Sequence, residues 1–206
     1  MSVHLVDHPI AQDALLQLRS KTTDHGQFRH LAHRLSVVVT LHATSDLPAD
    51  PVSVETPLER TTGSRLRTDI VVVPVLRAGL GMLDAVLQLL PDARVGHVGL
   101  ERDEHTAVAG RYYLKLPPIR STTTVLVIDP MLATGGSACA TVALLRSVGA
   151  RDIRLLCLVA APEGLRAVEA AAPGMAIYTS AIDRELNSQK FILPGLGDFG
   201  DRLYGT

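Results

Sequence analysis

The residues of this chain whose types and spacing are best suited to chemistry lie at positions 125–137, which read Val-Leu-Val-Ile-Asp-Pro-Met-Leu-Ala-Thr-Gly-Gly-Ser. Residues 125–128 are apolar and mostly β-branched, a pattern typical of a buried strand in a parallel sheet. Asp129 is therefore predicted to lie at the carboxyl end of that strand. Open α/β sheets bind their ligands at that edge, so Asp129 is a candidate for contact with a ligand.

The Thr-Gly-Gly-Ser turn that follows is predicted to bind an anion. Residues 138–148 have helical periodicity, and the N–H groups of a glycine-rich turn at a helix N-terminus converge on phosphate groups. Gly135 and Gly136 permit a positive φ and a close approach of the backbone to the anion, while Thr134 and Ser137 add hydroxyl donors. No lysine follows the glycines, so this is not a Walker loop. The alternative interpretation is an ordinary strand–turn–helix connection.

Residues 73–81, Val-Pro-Val-Leu-Arg-Ala-Gly-Leu-Gly, have the same plan of strand, glycine turn and helix. The turn is a candidate second anion site by the same backbone argument. Arg77, at the end of the strand, would add a charged donor whose guanidinium can bind a diphosphate group in a bidentate manner. Taken alone, Arg-Ala-Gly at a strand end also occurs in ordinary turns.

The elements that must position these residues alternate between strands and helices. This alternation predicts an α/β fold with a mostly parallel sheet and helices on both faces. Residues 47–57 are proline-rich and then alternate, which predicts an edge strand or an extended arm. Helices are predicted over residues 10–19, 27–41, 79–90, 138–148 and 164–172, and strands over residues 69–76, 95–100, 112–116, 125–128, 153–161 and 176–180.

Composition limits the classes of function. The 206 residues are enough for one α/β domain over residues 1–206, and with 47% hydrophobic but only 3% aromatic residues the core must be aliphatic. A net charge of −1 gives no electrostatic footprint for nucleic acid or membranes. Cys139 and Cys157 lie in apolar stretches, which suits a reducing compartment, and neither a signal peptide nor a membrane-spanning run is evident. We expect a soluble cytoplasmic protein without nucleic-acid or membrane partners.

The glycine-rich tail contains a formal G-x-G-x-x-G pattern at Gly195, Gly197 and Gly200. A dinucleotide-binding unit needs a helix, a strand and an acid about twenty residues further on, but only six residues follow Gly200. The tail, residues 183–206, is instead predicted to be a loop that folds back over the site.

Five motifs in this order resemble the uracil phosphoribosyltransferase family, and the resemblance spans almost the whole chain. They are Glu-Thr-Pro-Leu at Glu55, Val-Pro-Val-Leu-Arg-Ala-Gly at Val73, Asp-Pro-Met-Leu-Ala-Thr-Gly-Gly-Ser at Asp129, Ala-Ala-Pro-Glu-Gly at Ala160, and Pro-Gly-Leu-Gly-Asp-Phe-Gly-Asp-Arg-Leu-Tyr-Gly-Thr at Pro194. The resemblance implies transfer of phosphoribose from phosphoribosyl diphosphate (PRPP) to N1 of uracil, giving UMP and diphosphate in pyrimidine salvage.

The resemblance also implies the site residues. Asp129, Arg102 and Asp198 would be catalytic. PRPP would contact Arg77, Arg102, Asp129, Pro130, Met131, Leu132, Ala133, Thr134, Gly135, Gly136, Ser137 and Asp198, and uracil would contact Ile192, Gly197, Asp198 and Phe199. Residues 101–110, which are charged and without periodicity, would form a mobile hood over the diphosphate. Mg²⁺ would arrive with PRPP rather than on protein ligands, since Asp129 is followed by Pro130 where many relatives carry a second acid.

Further partners follow from the same resemblance. Family members are homo-oligomers, so a homodimer or a higher homo-oligomer is expected, and GTP is a possible effector. A rival interpretation is a regulator of the same fold that senses nucleotides and controls pyrimidine genes through RNA. The absence of a basic excess argues against it.

Overall fold

The computed structural model describes residues 2–66, 69–102 and 109–206, with the backbone alone at residues 100–102 and 109–112. The hood prediction lies largely outside this part of the chain, as do the side chain of Arg102 and residues 103–108. The helices are α1 (Pro9–Arg19), α2 (His25–Ala43), α3 (Leu80–Leu89), α4 (Gly136–Ser147), α5 (Pro162–Ala171) and α6 (Phe199–Tyr204). The strands are β1 (Ser2–Leu5), β2 (Ala49–Glu55), β3 (Arg60–Leu66), β4 (Ile70–Leu76), β5 (Arg94–Val95), β6 (His97–Arg102), β7 (Ala109–Lys115), β8 (Thr124–Ile128), β9 (Met131–Leu132), β10 (Asp152–Ala160), β11 (Ala176–Ile182), β12 (Glu185–Leu186) and β13 (Ile192–Leu193).

Nine of the described strands form one sheet, in the order β1-β11-β10-β8-β4-β6-β7, with β5 beside β4 and β9 beside β10. Its pairings are parallel except that between β6 and β7. In the centre, β4 and β8 are in register with Pro74 opposite Ile128. Their carboxyl ends therefore place Arg77 and Asp129 on neighbouring strands at one edge of the sheet.

Both faces of the sheet are covered by helices, as predicted. Leu126 and Ile128 of β8 belong to a buried cluster that includes residues of α1, α2, α3 and α6. Val125 and Val127, which point to the opposite face, pack in a second cluster with residues of α4 and α5. This two-sided burial explains why β8 is apolar at every position rather than alternating.

The arm prediction for residues 47–57 is confirmed as an extended segment, but it is not an edge of the main sheet. β2 pairs with β3 in a separate antiparallel hairpin, and almost every residue of both strands is exposed. The polar sequence of β3 gave no hydrophobic alternation by which to predict it. β1 was likewise not predicted, and it joins the sheet by parallel pairing with β11.

The tail differs from the loop that the sequence predicts, because it contains the β12–β13 hairpin and the short helix α6. α6 forms because Asp198 caps it, its side chain accepting from the N–H of Asp201 at 2.9 Å. No helix in the described residues combines the length and the apolarity needed to cross a bilayer.

Candidate active site

Asp129 lies at the carboxyl end of β8, where the sequence places it. Its N–H donates to the carbonyl of Leu156 at 3.1 Å, which fixes the residue between β8 and β10. Burial raises the pKa of the Asp129 carboxyl to about 7, and a hydrogen bond from the Met131 backbone opposes part of that rise. The carboxyl group therefore changes its charge close to neutral pH.

The segment after Asp129, which we call the first loop (residues 129–137), has the geometry of an anion site. Gly135 adopts φ +81° and α4 begins at Gly136. A Cβ at Gly135 would also lie 3.0 Å from the carbonyl of Gly164, so this position requires glycine. The N–H groups of Ser137 and Ala138 lie in the first turn of α4, where no intrahelical acceptor exists. They remain available to a phosphate group at the positive end of the helix dipole.

A cavity of about 110 Å³ opens between Asp129 and this turn, and it is lined by Asp129 and residues 131–138. It places a carboxylate at one side and backbone donors at the other. That combination suits a sugar phosphate, whose hydroxyls donate and whose phosphate accepts. A larger cavity of about 320 Å³ lies near the amino end of β4, beside residues 65–66 and 89–93, and it does not adjoin the first loop.

The segment between β4 and α3, the second loop (residues 76–80), is in contact with β8. A Cβ at Gly79 would lie 2.5 Å from the carbonyl of Ile128, so only glycine allows the two strand ends to approach so closely. The N–H groups of residues 80–82 donate to the carbonyls of residues 77–79. The second loop therefore differs from the predicted backbone anion site, because its helical donors are already engaged. What it offers a diphosphate is the exposed side chain of Arg77.

The tail reaches this edge of the sheet through contacts with the second loop. Arg77 lies 3.8 Å from Asp201 of α6, and the hydroxyl of Tyr204 donates to the Arg77 carbonyl at 3.3 Å. Beside them, the ring of Phe199 packs edge-to-face on Phe28 with 5.2 Å between the ring centroids. Phe199 is 2% exposed, so only its main chain can face a ligand.

Two arginines that sequence reasoning missed hold the tail in place. Arg19 donates to both oxygens of the buried Asp183, at 2.7 and 2.8 Å, and to the carbonyl of Gly195 at 2.7 Å. Asp183 also accepts from the N–H of Gly195 at 2.8 Å. Arg202 donates to three carbonyls, those of Leu18, Ser20 and Leu196. The sequence carries no local signal for these contacts, since Arg19 and Asp183 are 164 positions apart.

Residues 5–206 match the family model described as uracil phosphoribosyltransferase. The chain belongs to the uracil phosphoribosyltransferase family. The protein named uracil phosphoribosyltransferase from Dictyoglomus thermophilum is 47% identical over 99% of both chains.

Solved structures share the fold of this chain. The AQ2163 protein from Aquifex aeolicus superposes with a TM-score of 0.94 at 32% identity, covering 99% of this chain and 98% of that one. A hypoxanthine-guanine phosphoribosyltransferase from Bacillus anthracis gives a TM-score of 0.54 at 12% identity, over 77% of this chain and 80% of the other. At that identity it supports the fold alone.

The geometry brings together most of the residues that resemblance to the uracil phosphoribosyltransferase family implied. Asp129 and residues 131–137 of the first loop line one cavity, and Arg77 lies on the neighbouring strand end. Ile192 is buried in β13, and Asp198 and Phe199 begin α6. The backbone of Arg102 ends β6, which pairs with β4, while its side chain lies outside the described part. Among the described residues there is no cluster of three or more metal-ligating side chains.

Proposed function

We propose that this chain transfers phosphoribose from PRPP to N1 of uracil, giving UMP and diphosphate, the pyrimidine-salvage reaction of its family. The observation that carries the proposal is the family match over residues 5–206. The first loop and the tail, which lie at the same edge of the sheet, are proposed to supply the chemistry that this reaction needs.

The first loop is proposed to hold the ribose 5-phosphate. The ionised carboxylate of Asp129 would accept hydrogen bonds from two ribose hydroxyls, and the backbone donors at Ser137 and Ala138 would bind the phosphate. The residues between them that line the cavity, from Met131 to Gly136, shape it rather than contribute charge. This arrangement positions C1 of the ribose without a covalent bond to the protein.

The cationic side chains Arg77 and Arg102 are proposed to stabilise the departing diphosphate. C1 becomes cationic as the bond to diphosphate breaks, as in glycosyl transfer generally. No protein nucleophile is needed, because positioning of the two substrates and stabilisation of the leaving group supply the catalysis. The hood would exclude water from the cation.

Mg²⁺ is proposed to enter with PRPP, whose adjacent phosphates carry several negative charges. On the protein, Asp129 is followed by Pro130, so this strand end provides one carboxylate rather than an adjacent pair. The metal would neutralise charge on the diphosphate, and the role we assign to Asp129 is contact with the ribose hydroxyls.

The tail is proposed to read uracil through its main chain at Ile192, Gly197 and Phe199, with Asp198 also near the ribose. One edge of uracil presents an acceptor, a donor and an acceptor, which backbone N–H and C=O groups can match. The burial of the Phe199 ring supports this idea, because the side chain packs in the core. Cytosine would place its exocyclic amino group against a backbone N–H, so two donors would face each other.

The exposed β2–β3 arm supports a further proposal, that the chain forms a homodimer or a higher homo-oligomer. Val54 is 52% and Leu58 is 94% exposed on this arm, and a second copy would cover such side chains.

We also propose a cytoplasmic location, which suits the two free thiols of Cys139 and Cys157. Activation by GTP is proposed from the family resemblance alone.

The test is an incubation of the purified chain with radiolabelled uracil, PRPP and Mg²⁺, followed by separation of UMP. We expect PRPP-dependent UMP, with cytosine, orotate and hypoxanthine poor substrates. Faster turnover of a purine than of uracil would overturn the substrate assignment.

The rival RNA-binding regulator is tested by filter binding at several salt concentrations, where the proposal expects no salt-dependent retention of RNA.

A further inference from the structure

A hydrogen bond from helix α5 reaches the hairpin that carries Ile192. Glu163 lies in the first turn of α5, and its Oε1 accepts from the N–H of Leu186 at 3.2 Å. Leu186 belongs to β12 and lies directly opposite Ile192 of β13. The carboxylate therefore contacts the strand that pairs with a residue proposed to bind uracil.

The first turn of α5 is itself fixed to the first loop. The N–H of Ala161 donates to the carbonyl of Leu132 at 2.9 Å. A Cβ at Gly164 would lie 2.6 Å from the carbonyl of Ala133, so the two backbones are in direct contact. Glu163 lies between these two residues. The bond between Glu163 and Leu186 therefore connects the first loop, proposed to bind the phosphate, with the hairpin proposed to bind the base.

The hairpin from Arg184 to Leu193 has little else to hold it against the body of the protein by hydrogen bonding. Within the part of the chain that the structure describes, its other hydrogen bonds are internal, such as that from the Arg184 N–H to the Leu193 carbonyl. The bonds of Asp183 and Gly195 fix the two ends of the segment. Among the described residues, the bond at Leu186 is thus the hydrogen bond that joins the hairpin to the body of the protein between those ends, and it adds to the packing of Ile192 and Leu186 against the core.

The carboxylate of Glu163 is maintained as an acceptor. Hydrogen bonds from its own N–H and from the N–H of Leu186 hold the pKa of Glu163 below its usual range. Its second oxygen, Oε2, is buried and has no hydrogen-bond partner among the described residues.

We propose that Glu163 is a positioning residue for the base: it fixes the β12–β13 hairpin, and through it the main chain at Ile192, against the first loop. The inference rests on the proposed function, because it takes the tail as the uracil site. Glu163 does not contact the reacting atoms, so its effect falls on binding of uracil.

The first test compares Glu163→Ala, Glu163→Gln and the matched control Glu169→Ala in steady-state kinetics. Glu169 lies on the same helix and accepts from the N–H of Gly174 at 3.3 Å, so its removal deletes a bond from a backbone N–H, together with the charge interactions of that carboxylate, away from the site. Loss of one such bond predicts a KM for uracil raised roughly three- to tenfold in Glu163→Ala, with the KM for PRPP and kcat little changed. Glu163→Gln should restore the KM, since its amide oxygen can still accept.

The second test is amide hydrogen exchange at Leu186 in the full chain without substrates. Exchange several-fold faster in Glu163→Ala, and close to wild type in Glu163→Gln and Glu169→Ala, is the expected result. Unchanged exchange at Leu186 in Glu163→Ala would overturn the inference. It would also be overturned if Glu163→Ala and Glu169→Ala lost activity equally while the KM for uracil stayed unchanged. A wild-type chain that makes no UMP would defeat the proposed function, while the exchange measurement would still decide whether Glu163 fixes the hairpin.

Discussion

The first loop and the tail both lie at the carboxyl edge of the central strands but hold their shapes by different means. The sequence signal for the first loop is contiguous, because a buried strand, an acid, a left-handed glycine and a helix follow one another within residues 125–138. Backbone hydrogen bonds to β10 and to the start of α5 then hold the loop in place. The tail contains only the short β12–β13 hairpin and α6, and contacts with the rest of the chain hold it in place. Arg19 of α1 and Glu163 of α5 bind it from outside, and its own Arg202 donates to the carbonyls of Leu18 and Ser20. A site made this way can change its base specificity through the tail while the sugar-phosphate contacts stay constant.

The largest effect is expected from Asp129→Asn, which tests the contacts of the first loop with PRPP. Two charge-assisted hydrogen bonds to ribose hydroxyls would be weakened, each worth about 1.5–3 kcal/mol, so kcat/KM for PRPP should fall roughly 100-fold or more. The fold should survive, because the amide has nearly the same volume and removes a half-buried charge. Thermal unfolding of the variant checks the fold. Wild-type kinetics in a folded variant would show that Asp129 is only structural.

The tail side is tested by Phe199→Pro with Phe199→Ala as its matched control. Both variants lose the buried ring, at a cost of about 3–5 kcal/mol in unfolding free energy, but only proline also removes the N–H. Proline is tolerated in the first position of a helix, so α6 should persist. We expect Phe199→Ala to keep the uracil preference and Phe199→Pro to lose roughly 5- to 150-fold of it, from about 1–3 kcal/mol per unpaired group.

The measurement is kcat/KM for uracil and for cytosine in both variants, at a temperature where both are folded. Equal loss of discrimination in the two variants would mean that the ring matters and that backbone reading is wrong.

The pH dependence of PRPP binding tests the first loop separately from the tail, with a smaller expected effect than the substitutions above. With the pKa of Asp129 raised to about 7, its carboxylate is protonated as the pH falls from 8 to 6, and PRPP binding should weaken by about tenfold. For the unliganded chain the sign is opposite: a raised folded-state pKa contributes stability that is present at low pH and lost as the pH rises through about 7. Binding of PRPP and thermal unfolding across this range should both lose their Asp129-dependent step in Asp129→Asn. A step near pH 7 that persists in that variant would assign the titration to another group.

The smallest effect is expected from a change at Arg19, which holds the tail from α1. Arg19→Lys keeps the positive charge beside Asp183 but loses the bidentate geometry and the bond to the Gly195 carbonyl. We expect the KM for uracil to rise several-fold, about what one hydrogen bond is worth, while the KM for PRPP stays constant. Steady-state titration of each substrate provides the test. A change confined to PRPP would contradict the separation of the two sides.

The elements that could be predicted from the sequence are those whose signal lies in neighbouring residues. β8 and the helix after it were predictable, because burial on both faces makes the strand uniformly apolar and the glycines mark the turn. The signal for α6 was also present: Asp198 precedes an apolar residue and is followed three positions later by Asp201, a capping pattern hidden by the glycines around it.

Other features could not be predicted by any local rule. β1 pairs with β11 across more than 170 positions, through backbone hydrogen bonds and the stacking of His4 on Tyr178. The second loop follows the sequence pattern of the first, yet its helical N–H groups donate to its own carbonyls. The partner of the β2 arm, β3, is polar and exposed throughout, so no hydrophobic periodicity marks it.

The most direct test of a single site built from the first loop and the tail is a crystal structure of the chain with UMP. The account predicts the phosphate on the N–H groups of Ser137 and Ala138, the ribose hydroxyls on Asp129, and the uracil edge on the main chain of residues 192–199. A phosphate bound at the second loop, or a base that does not touch the tail, would contradict it.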